Sequence, residues 1–431
     1  MTMKRLLISA LLILSSKGYA DSIESVIHHS LKTNPEICGK HNEYVSSREL
    51  VNQANSRTRP QGRIEYNYGR ERVYNSSTKA ALGGGSHFWR NDVNLNVSQS
   101  IYDAGNRKSF IRQKRADANF SHAQLREKRE QIAFQAAEVY LNVIRHRKIV
   151  SIYAQDVESH RNMFEKIEKK VNAGAGKKSE TYLAQSRLSL AESRLFTAEG
   201  RLSEAENRFV ELVGFAPAKD LPLPQNELPV PEDVDQALCL SKKINPSLFA
   251  SYANVASSNA QSQVSKSALY PEVSFDFNVF NGNDLNGVPG GNFNINGLLN
   301  VSWDFYTSGG NRSIYQSDRA LYYNSLANLE ETKRMITNNV STAFDFLESD
   351  LKRLGSLINH KAESYEVYLS YQKEFDLGKR SLFDLLNSKL EYYNSYVSEV
   401  DGTFDLYIDH YRLLASVGNL VKTIEHCCQR R

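Results

Sequence analysis

The stretch from Asn106 to Ala173 is NRKSFIRQKRADANFSHAQLREKREQIAFQAAEVYLNVIRHRKIVSIYAQDVESHRNMFEKIEKKVNA, without a glycine or proline to interrupt a helix. Such a helix would be about 100 Å long, whereas helices of globular domains seldom exceed roughly 20 residues. Its many charged side chains exclude a membrane span. Apolar residues at i, i+4, i+7 and i+11 form a seam for neighbouring helices, namely Ile132, Ala136, Val139 and Val143. The stretch therefore predicts one very long amphipathic helix.

The same seam occurs again 204 residues later, as Ile336, Val340, Ala343 and Leu347. It belongs to a second long stretch, from Asn311 to Leu377. Each stretch ends at a glycine, Gly174 or Gly378, and is followed by a shorter helical pattern that ends on Val-Gly. A helical hairpin is therefore predicted in each half of the chain, at about 105–213 and about 310–417.

Shorter motifs place the two halves in register. Asn34-Pro35, where a helix is expected to break and restart, recurs as Asn245-Pro246. Two structural repeats are therefore predicted, residues 21–220 and 232–418, with a proline-rich crossover between them. Residues 419–431 are expected to be a polar and loose C-terminal tail.

Residues 1–20 have the features of a secretory signal peptide. A basic start at Lys4 and Arg5 precedes an apolar core from Leu6 to Leu14, and small residues approach a cleavage point after Ala20. The core falls well short of the roughly 20 apolar residues that span a bilayer, which disfavours a membrane anchor. Removing the signal lowers the formal net charge from +4 to +1, and nothing in this composition indicates nucleic-acid binding.

Before each long helix the spacing of apolar residues changes from the helical period of about 3.6 residues to the strand period of two. This predicts strands at about 62–74 and 88–102 in the first half and about 272–280 and 292–306 in the second. Apolar and polar residues alternate, aromatic residues lie towards the strand ends, and polar loops join the strands, as in outer-membrane barrels. The residues expected to face lipid are Ile64, Tyr66, Leu95, Phe275, Phe277, Val301 and Trp303.

An edge of a soluble β-sandwich would show the same alternation, but the position of these strands beside the long helices favours the membrane interpretation. Four strands cannot close a barrel, since a single-chain barrel needs at least about eight. Unpaired strand edges in lipid are costly, so several chains would have to associate. The polar loops at the strand tips are expected from Asn75 to His87 and from Asn281 to Gly291.

Signal peptide, duplicated halves, two strands per half and hairpins of very long helices together resemble the TolC family of outer-membrane factors. The resemblance extends over the whole mature chain, from Asn34-Pro35 through Tyr102-Asp103-Ala104-Gly105 to Val417-Gly418. It implies a mainly α fold with membrane β: a homotrimer whose twelve-stranded β-barrel, four strands from each chain, continues into a long α-helical periplasmic tunnel. The implied location is the outer membrane of a Gram-negative cell, with the tunnel reaching into the periplasm.

The resemblance also implies a function and partners. The chain would be the exit duct of a type I secretion or efflux system, with no enzymatic activity, no cofactor and no metal. Its partners would be a periplasmic adaptor, an inner-membrane transporter and outer-membrane lipid. The lack of a lipid-attachment cysteine at the cleavage point favours protein secretion over efflux of small molecules.

Two other classes of protein compete with this interpretation. A periplasmic coiled-coil adaptor or scaffold without a pore would share the long helices and the signal, but would have no reason for four symmetrically placed amphipathic strands. A hydrolase is disfavoured because the chain lacks Gly-x-Ser-x-Gly and His-Glu-x-x-His motifs. The cysteines show no metal-ligand spacing and leave disulfide pairing open; they are Cys38, Cys239, Cys427 and Cys428.

The segment GKRSLFDLLN, from Gly378 to Asn387, is similar to the entrance motif of the family. In that motif two acidic residues, three apart on one helix face, project into the pore and form stacked carboxylate rings in the trimer. The first is present here as Asp384, and the second is replaced by Asn387. The alternative interpretation makes Asp384 a solvated carboxylate at the start of a helix.

The same resemblance assigns residues that close the entrance. The closing links between hairpins map onto Arg380 reaching Ser179 or Glu180. The resemblance places Phe375 where the family has a tyrosine that joins these links, which implies one hydrogen bond fewer here. The glycines that end the long helices, Gly174 and Gly378, mark the hairpin tips, where the adaptor is expected to bind.

Overall fold

A computed structural model describes residues 22–74, 76, 86–224, 228–287 and 289–429. The predicted signal peptide, most of the predicted loop from Asn75 to His87, and the side chains of Cys427 and Cys428 lie outside the described residues. Cys38 and Cys239 are both exposed and neither is in a disulfide.

Helices and strands alternate in the same order in the two halves. In chain order they are α1 (Ile23–Thr33), α2 (Pro35–Ser56), β1 (Gln61–Val73), β2 (Ser86–Tyr102), α3 (Asn106–Asn172), α4 (Lys178–Val213), α5 (Val234–Ile244), α6 (Pro246–Ser267), β3 (Glu272–Asn283), β4 (Gly291–Ser302), α7 (Gly310–Asp376), α8 (Leu382–Val417) and α9 (Leu420–Gln429). The long helices α3 and α7 both have 67 residues, and the returning helices α4 and α8 both have 36, as a duplication requires. In each half a long helix is followed by a shorter one, at the positions that the sequence predicts.

Helix boundaries follow the local chemistry of the sequence. Asn34 and Asn245 are extended, because a residue before proline avoids the helical region, and the predicted break is present in both halves. Helix α4 ends at Gly214, whose positive φ of 91° suits glycine. None of the described helices is both long and apolar enough to cross a bilayer.

The described residues pack into two compact units, and each unit draws on both repeats. One, here called the helical unit, comprises the described parts of 22–40, 125–246 and 333–429. The other, here called the sheet unit, comprises the described parts of 41–124 and 247–332. The repeats are therefore not separate compact bodies, because each long helix contributes residues to both units.

Within the sheet unit, the four strands form one antiparallel sheet in the order β1-β2-β3-β4. Ile64 pairs with Leu95, Leu95 with Val279, and Val279 with Ile295, so these apolar residues form one row across the sheet. Side chains of directly paired residues point to the same side, and the register therefore collects the alternating apolar residues on one side, here called the apolar face. In β1, β2, β3 and the described length of β4 the predicted residues share this face, and its contact with lipid stays a prediction.

Trp303 was predicted to face lipid as part of the fourth strand, and this boundary is wrong. β4 ends at Ser302, because its partner strand β3 begins at Glu272, directly opposite Ser302. Trp303 has no partner on β3 and its Nε1 donates to the carbonyl of Leu269 instead, at 3.3 Å.

The opposite side of the sheet, here called the polar face, is rich in asparagine. Asn278 Nδ2 donates to Asn94 Oδ1 across β2 and β3, at 2.6 Å. Its asparagines are Asn67, Asn94, Asn96, Asn278, Asn292, Asn294, Asn296 and Asn300. The sheet therefore has the one-sided polarity that the sequence predicts.

In the helical unit, the two seams of the long helices are buried. Ile132, Ala136 and Val143 of α3 are fully buried, and Ile336, Val340 and Ala343 of α7 are buried as well. The main apolar core joins α3, α4 and α8 to α1 and α9.

The prediction of a polar, loose tail at 419–431 is wrong for Leu420–Gln429. These residues form α9, and its side chains Leu420, Val421 and Ile424 lie buried in the main core. The three apolar residues fall at i, i+1 and i+4, which is enough for one buried face on a short helix.

Glu130 of α3 holds the start of α9. Its Oε2 accepts hydrogen bonds from the backbone N–H groups of Leu420 and Val421, at 2.9 and 3.3 Å. These are two of the donors that a helix leaves unpaired at its N-terminus. Burial nonetheless raises the pKa of Glu130 to about 7, against the opposing effect of these N–H groups and of Arg126 and Arg129.

This raised pKa predicts a pH dependence of stability. Between pH 4.5 and about 7 the folded chain keeps a proton that the unfolded chain has released, so the stability from Glu130 is full below about pH 4.5 and is lost as pH rises through 7. Glu130→Gln should flatten this fall, measured by urea unfolding at a series of pH values. Glu165→Gln, at an exposed position on the same helix, is the control and should keep the parental slope. If Glu130→Gln lost stability with rising pH as steeply as the parent does, Glu130 would not be the cause of the pH dependence.

Candidate functional site at the hairpin tips

Both hairpin tips have the same backbone geometry. After α3, the N–H of Gly174 bonds to the carbonyl of Val171 and that of Ala175 to the carbonyl of Lys170, at 2.9 and 3.0 Å. After α7, Gly378 and Lys379 make the equivalent bonds, at 2.9 and 2.8 Å. This is a Schellman motif, in which the residue with positive φ is best a glycine, and φ is 77° at Gly174 and 74° at Gly378.

A small apolar cluster packs the two hairpins together near these tips. Its buried residues come from α3, α4 and α8, and Phe375 of α7 packs against them. The buried members are Ile167, Ala184, Leu382 and Leu386. Lys166 of α3 also forms an ion pair with Asp376 at the end of α7, at 2.7 Å.

Asp384 lies in the first turn of α8, where Ser381 is the N-cap. The Ser381 hydroxyl accepts from the N–H of Asp384 at 3.2 Å and donates to its carboxylate at 2.7 Å. The carboxylate therefore serves the helix start, as the alternative interpretation of the sequence requires. Its place in a pore ring stays a prediction.

Asp384 and Asn387 do share one groove between α7 and α8. The groove has a volume of about 350 Å³. Its other lining residues are Glu363, Ser364, Val367, Tyr371, Ser388 and Glu391. The i, i+3 spacing thus brings the two predicted entrance residues to one side of α8.

Asn387 also takes part in a polar seam between α4 and α8. Arg187 donates to Asn387 Oδ1 at 2.8 Å, and Arg194 donates to Asn394 Oδ1 at 3.4 Å. The two bonds are one heptad apart, so the same face of α4 meets the same face of α8. One heptad closer to the tips, the corresponding positions are Glu180 and Arg380.

The predicted link from Arg380 to Ser179 or Glu180 is not formed in the described chain. Arg380 Nε instead donates to Glu374 at 2.8 Å, and Glu180 accepts from the backbone N–H of Lys177 at 3.4 Å. Glu374 lies on the other side of the same tip, only six residues before Arg380, so this pair forms without joining the two hairpins.

An aromatic partner for Arg380 is nevertheless present. Its guanidinium lies 4.0 Å from the ring centroid of Tyr371, one helical turn before Phe375. Phe375 itself packs in the apolar cluster, with Lys170 Nζ 5.7 Å from its ring centroid. The resemblance to the entrance motif pointed to Phe375 and did not single out Tyr371 or Glu374.

The structure also reveals a buried polar cluster that sequence reasoning missed. It consists of Asp156 and His160 on α3 and Lys389 on α8, which are exposed by only 1%, 4% and 0%. Asp156 Oδ1 lies 3.3 Å from His160 Nε2, while Lys389 Nζ has no hydrogen-bond partner among the residues that the structure describes. The sequence does indicate the burial of Lys389 through its spacing, because Lys389 follows the buried Leu385 and Leu386 at i+4 and i+3 on the same helix face.

Burial and mutual charge set the protonation of this cluster. Burial raises the pKa of Asp156 to about 6 and lowers that of Lys389 to about 8, against the attraction between their charges. Burial and the cations Lys389, Arg187 and Arg194 lower the pKa of His160 to about 3. At pH 7 the cluster therefore contains a carboxylate, a neutral imidazole and an ammonium.

No metal site accompanies these groups: in the part of the chain that the structure describes, no three His, Cys, Asp or Glu side chains are arranged to hold an ion. The geometry at the tips is that of helix caps, ion pairs and a groove.

The model of the outer membrane efflux protein family matches residues 26–215 and 238–419, which is most of the chain. The chain belongs to this family. The matched segments are one in each repeat, separated by the proline-rich crossover. The resemblance drawn from the sequence is thereby confirmed, and with it the location in the outer membrane and the function of an efflux channel.

Solved structures share the fold. The chain is similar to the CmeC outer membrane channel of Campylobacter jejuni (14% identity, TM-score 0.82, covering 92% of this chain and 86% of that one). It is similar to the outer membrane protein VceC of Vibrio cholerae (14%, 0.80, 92% and 96%). It is also similar to the MtrE outer membrane channel of Neisseria gonorrhoeae (16%, 0.79, 93% and 90%). No curated protein sequence matches the chain significantly.

Proposed function

We propose that three copies of this efflux protein close one twelve-stranded barrel and one helical tunnel, and that cargo leaves the cell through this shared pore. The observation that carries the proposal is the sheet: four strands with one apolar face and with two edge strands, β1 and β4, that have no second neighbour in the described chain. In lipid each unpaired backbone group on those edges costs several kcal/mol. Pairing β1 of one copy with β4 of the next removes this cost.

The helices support the same assembly. Helix α7 exposes large apolar side chains along its length, at Ile314, Leu321, Met335, Leu351 and Ile358. Large apolar side chains exposed along a helix of this length are available for packing against other helices. In the trimer it would pack against helices of the neighbouring copy, and the barrel would continue into the periplasm as a tunnel. A pore-free adaptor or scaffold has no use for the one-sided sheet.

Energy for transport would come from partners, because the chain has no nucleotide-binding loop. We propose an inner-membrane transporter and a periplasmic adaptor that binds the hairpin tips at Gly174 and Gly378. Exposed apolar side chains near these tips, Tyr182, Leu377 and Phe383, support a docking surface there. The duct carries out no chemical step and holds no cofactor; its cargo is either exported protein or small molecules.

At the entrance, Asp384 would form a ring of three carboxylates and Asn387 a neutral ring beside it. Arg380 would exchange Glu374 for Glu180 when the hairpins draw together, since the heptad seam already aligns positions 180 and 380. The closed entrance would then be held by one link that crosses between hairpins in each chain.

Single-channel recording in planar bilayers tests this entrance. Asp384→Ala should lower cation selectivity and weaken block by trivalent cations, and Asn387→Asp should strengthen both by adding a second ring of charge. Arg380→Ser should raise conductance by removing the closing link. Glu348→Ala, at an exposed position on α7, is the control and should leave both properties unchanged. Unchanged selectivity in both ring variants would contradict a constriction at Asp384.

A further inference from the structure

The charges of the sheet are divided unequally between its two faces. Every acidic side chain of the described strands lies on the polar face, together with Arg63 and Arg90. The acidic residues are Glu65, Glu71, Asp92, Glu272 and Asp276. On the apolar face the only charged side chains among the described strand residues are Arg70 and Arg72.

Nothing within the described chain neutralises these two arginines. Both are exposed and neither has a recorded hydrogen bond or ion pair. Glu71 stands between them in sequence but points to the polar face, where it accepts the backbone N–H of Asn286 at 3.2 Å. The polar-face arginines differ in this respect, since Arg63 pairs with Glu65 at 2.8 Å and Arg90 pairs with Asp92 at 2.5 Å.

The height of Arg70 and Arg72 on the sheet coincides with the edge of the apolar band. The row of paired residues that contains Val273 and the row that contains Tyr68 are about ten residues apart along the strands, which is roughly 33 Å. A strand tilt of about 40° reduces this to roughly 25 Å, the height of the apolar band of an outer-membrane barrel. Arg70 and Arg72 are the next two outward positions on β1, at the end that leads to the loop.

An aromatic pair marks the same level. Tyr68 and Trp89 stack on the apolar face with ring centroids 5.5 Å apart and planes inclined by 13°. Trp89 is paired with Arg70, and Tyr68 is the outward position before Arg70 on β1. Tyrosine and tryptophan concentrate where the hydrocarbon of a membrane meets the headgroups. Two unpaired guanidiniums, Arg70 level with Trp89 and Arg72 one outward position beyond it, would lie among lipid phosphates, which arginine binds through two parallel hydrogen bonds.

We propose that Arg70 and Arg72 form a binding site for the phosphate of an anionic lipid headgroup in the outer leaflet. The site rests on the proposed membrane barrel, because only there does the apolar face meet lipid. The alternation of side chains along β1 makes the site possible, because it places both arginines on the apolar face and the intervening Glu71 on the polar face.

Native mass spectrometry of the detergent-solubilised protein, titrated with phosphatidylglycerol or with phosphatidylcholine, tests the site. The parent should retain the anionic lipid in preference to the neutral one. Arg70→Gln/Arg72→Gln should lower its affinity for phosphatidylglycerol by roughly 30-fold, as expected for two basic residues at a charged headgroup. Inorganic phosphate at the same concentration as the lipid should not displace it, which separates a headgroup site from a free-phosphate site.

Arg59→Gln/Arg63→Gln removes the same charge at the other end of β1 and is the matched control. Its preference for phosphatidylglycerol should equal that of the parent. An unchanged preference in the Arg70/Arg72 variant, an equal loss in the control, or displacement by inorganic phosphate would each overturn the site. Single-channel conductance of the Arg70/Arg72 variant should stay parental, and a parent without channels would refute the barrel separately from the lipid site.

Discussion

Asp156→Asn should lower the free energy of unfolding of the helical unit by about 3–5 kcal/mol. Asp156 is the carboxylate whose charge opposes the desolvation of Lys389, and Lys389 is completely buried. The substitution leaves the ammonium in the packed interface between α3 and α8 without a counter-charge. Urea unfolding of the detergent-solubilised protein, followed by helical circular dichroism, measures the change.

A second variant separates this electrostatic effect from a loss of packing. Asp156→Leu combined with Lys389→Met replaces both charges by apolar side chains, and it should recover most of the lost stability. Glu158→Gln, at an exposed position two residues along α3, should change stability by less than about 0.5 kcal/mol. A double variant as unstable as Asp156→Asn would show that the charges are not the cause.

The cluster also has a place in the assembly of the helical unit. Asp156 and His160 belong to the first hairpin and Lys389 to the second, so the carboxylate of Asp156 lies near the ammonium of Lys389 only when the two hairpins are in register. Buried polar groups that fix register in helical bundles commonly cost stability, which fits the shifted pKa values of all three residues.

Phe277→Lys should destabilise the membrane-inserted protein by about 2–4 kcal/mol, whereas Asn278→Lys should be tolerated. The two residues are neighbours on β3 and point to opposite faces, Phe277 to the apolar face and Asn278 to the polar face. If the apolar face meets lipid, a lysine at 277 must bury its charge in hydrocarbon. At 278 it would enter the polar interior beside Asn96.

Unfolding in lipid vesicles with increasing urea measures both variants against the parent. Leu95→Lys and Asn96→Lys repeat the comparison on β2, where Leu95 lies on the apolar face and Asn96 on the polar face. Equal tolerance of lysine on the two faces of both strands would contradict a transmembrane sheet.

The sequence predicts most of this fold because its strongest patterns are local and occur twice. Each long helix lacks proline, each tip has a glycine where a positive φ is needed, and each strand alternates strictly enough to set its face. The end of β4 escaped prediction since it depends on where β3 begins. Helix α9 escaped because its cap is Glu130, some 290 residues earlier in the chain.

At the candidate site, the sequence could not show which of several nearby partners a side chain binds. Arg380 has Glu374 within reach on its own hairpin, and the motif alone does not show which carboxylate it binds. Lys389 was overlooked because lysine is rarely buried, although its spacing from Leu385 and Leu386 places it on the packed side of α8. Pairing partners that are distant in sequence become visible only in three dimensions.

The number of chains in the particle that detergent extracts from the outer membrane tests most directly whether three chains share one pore. Each chain supplies a four-stranded sheet with two open edges, so closure at twelve strands requires three copies. Native mass spectrometry of that particle should find three copies of the mature chain. A stable particle of one, two or four copies would contradict the shared barrel.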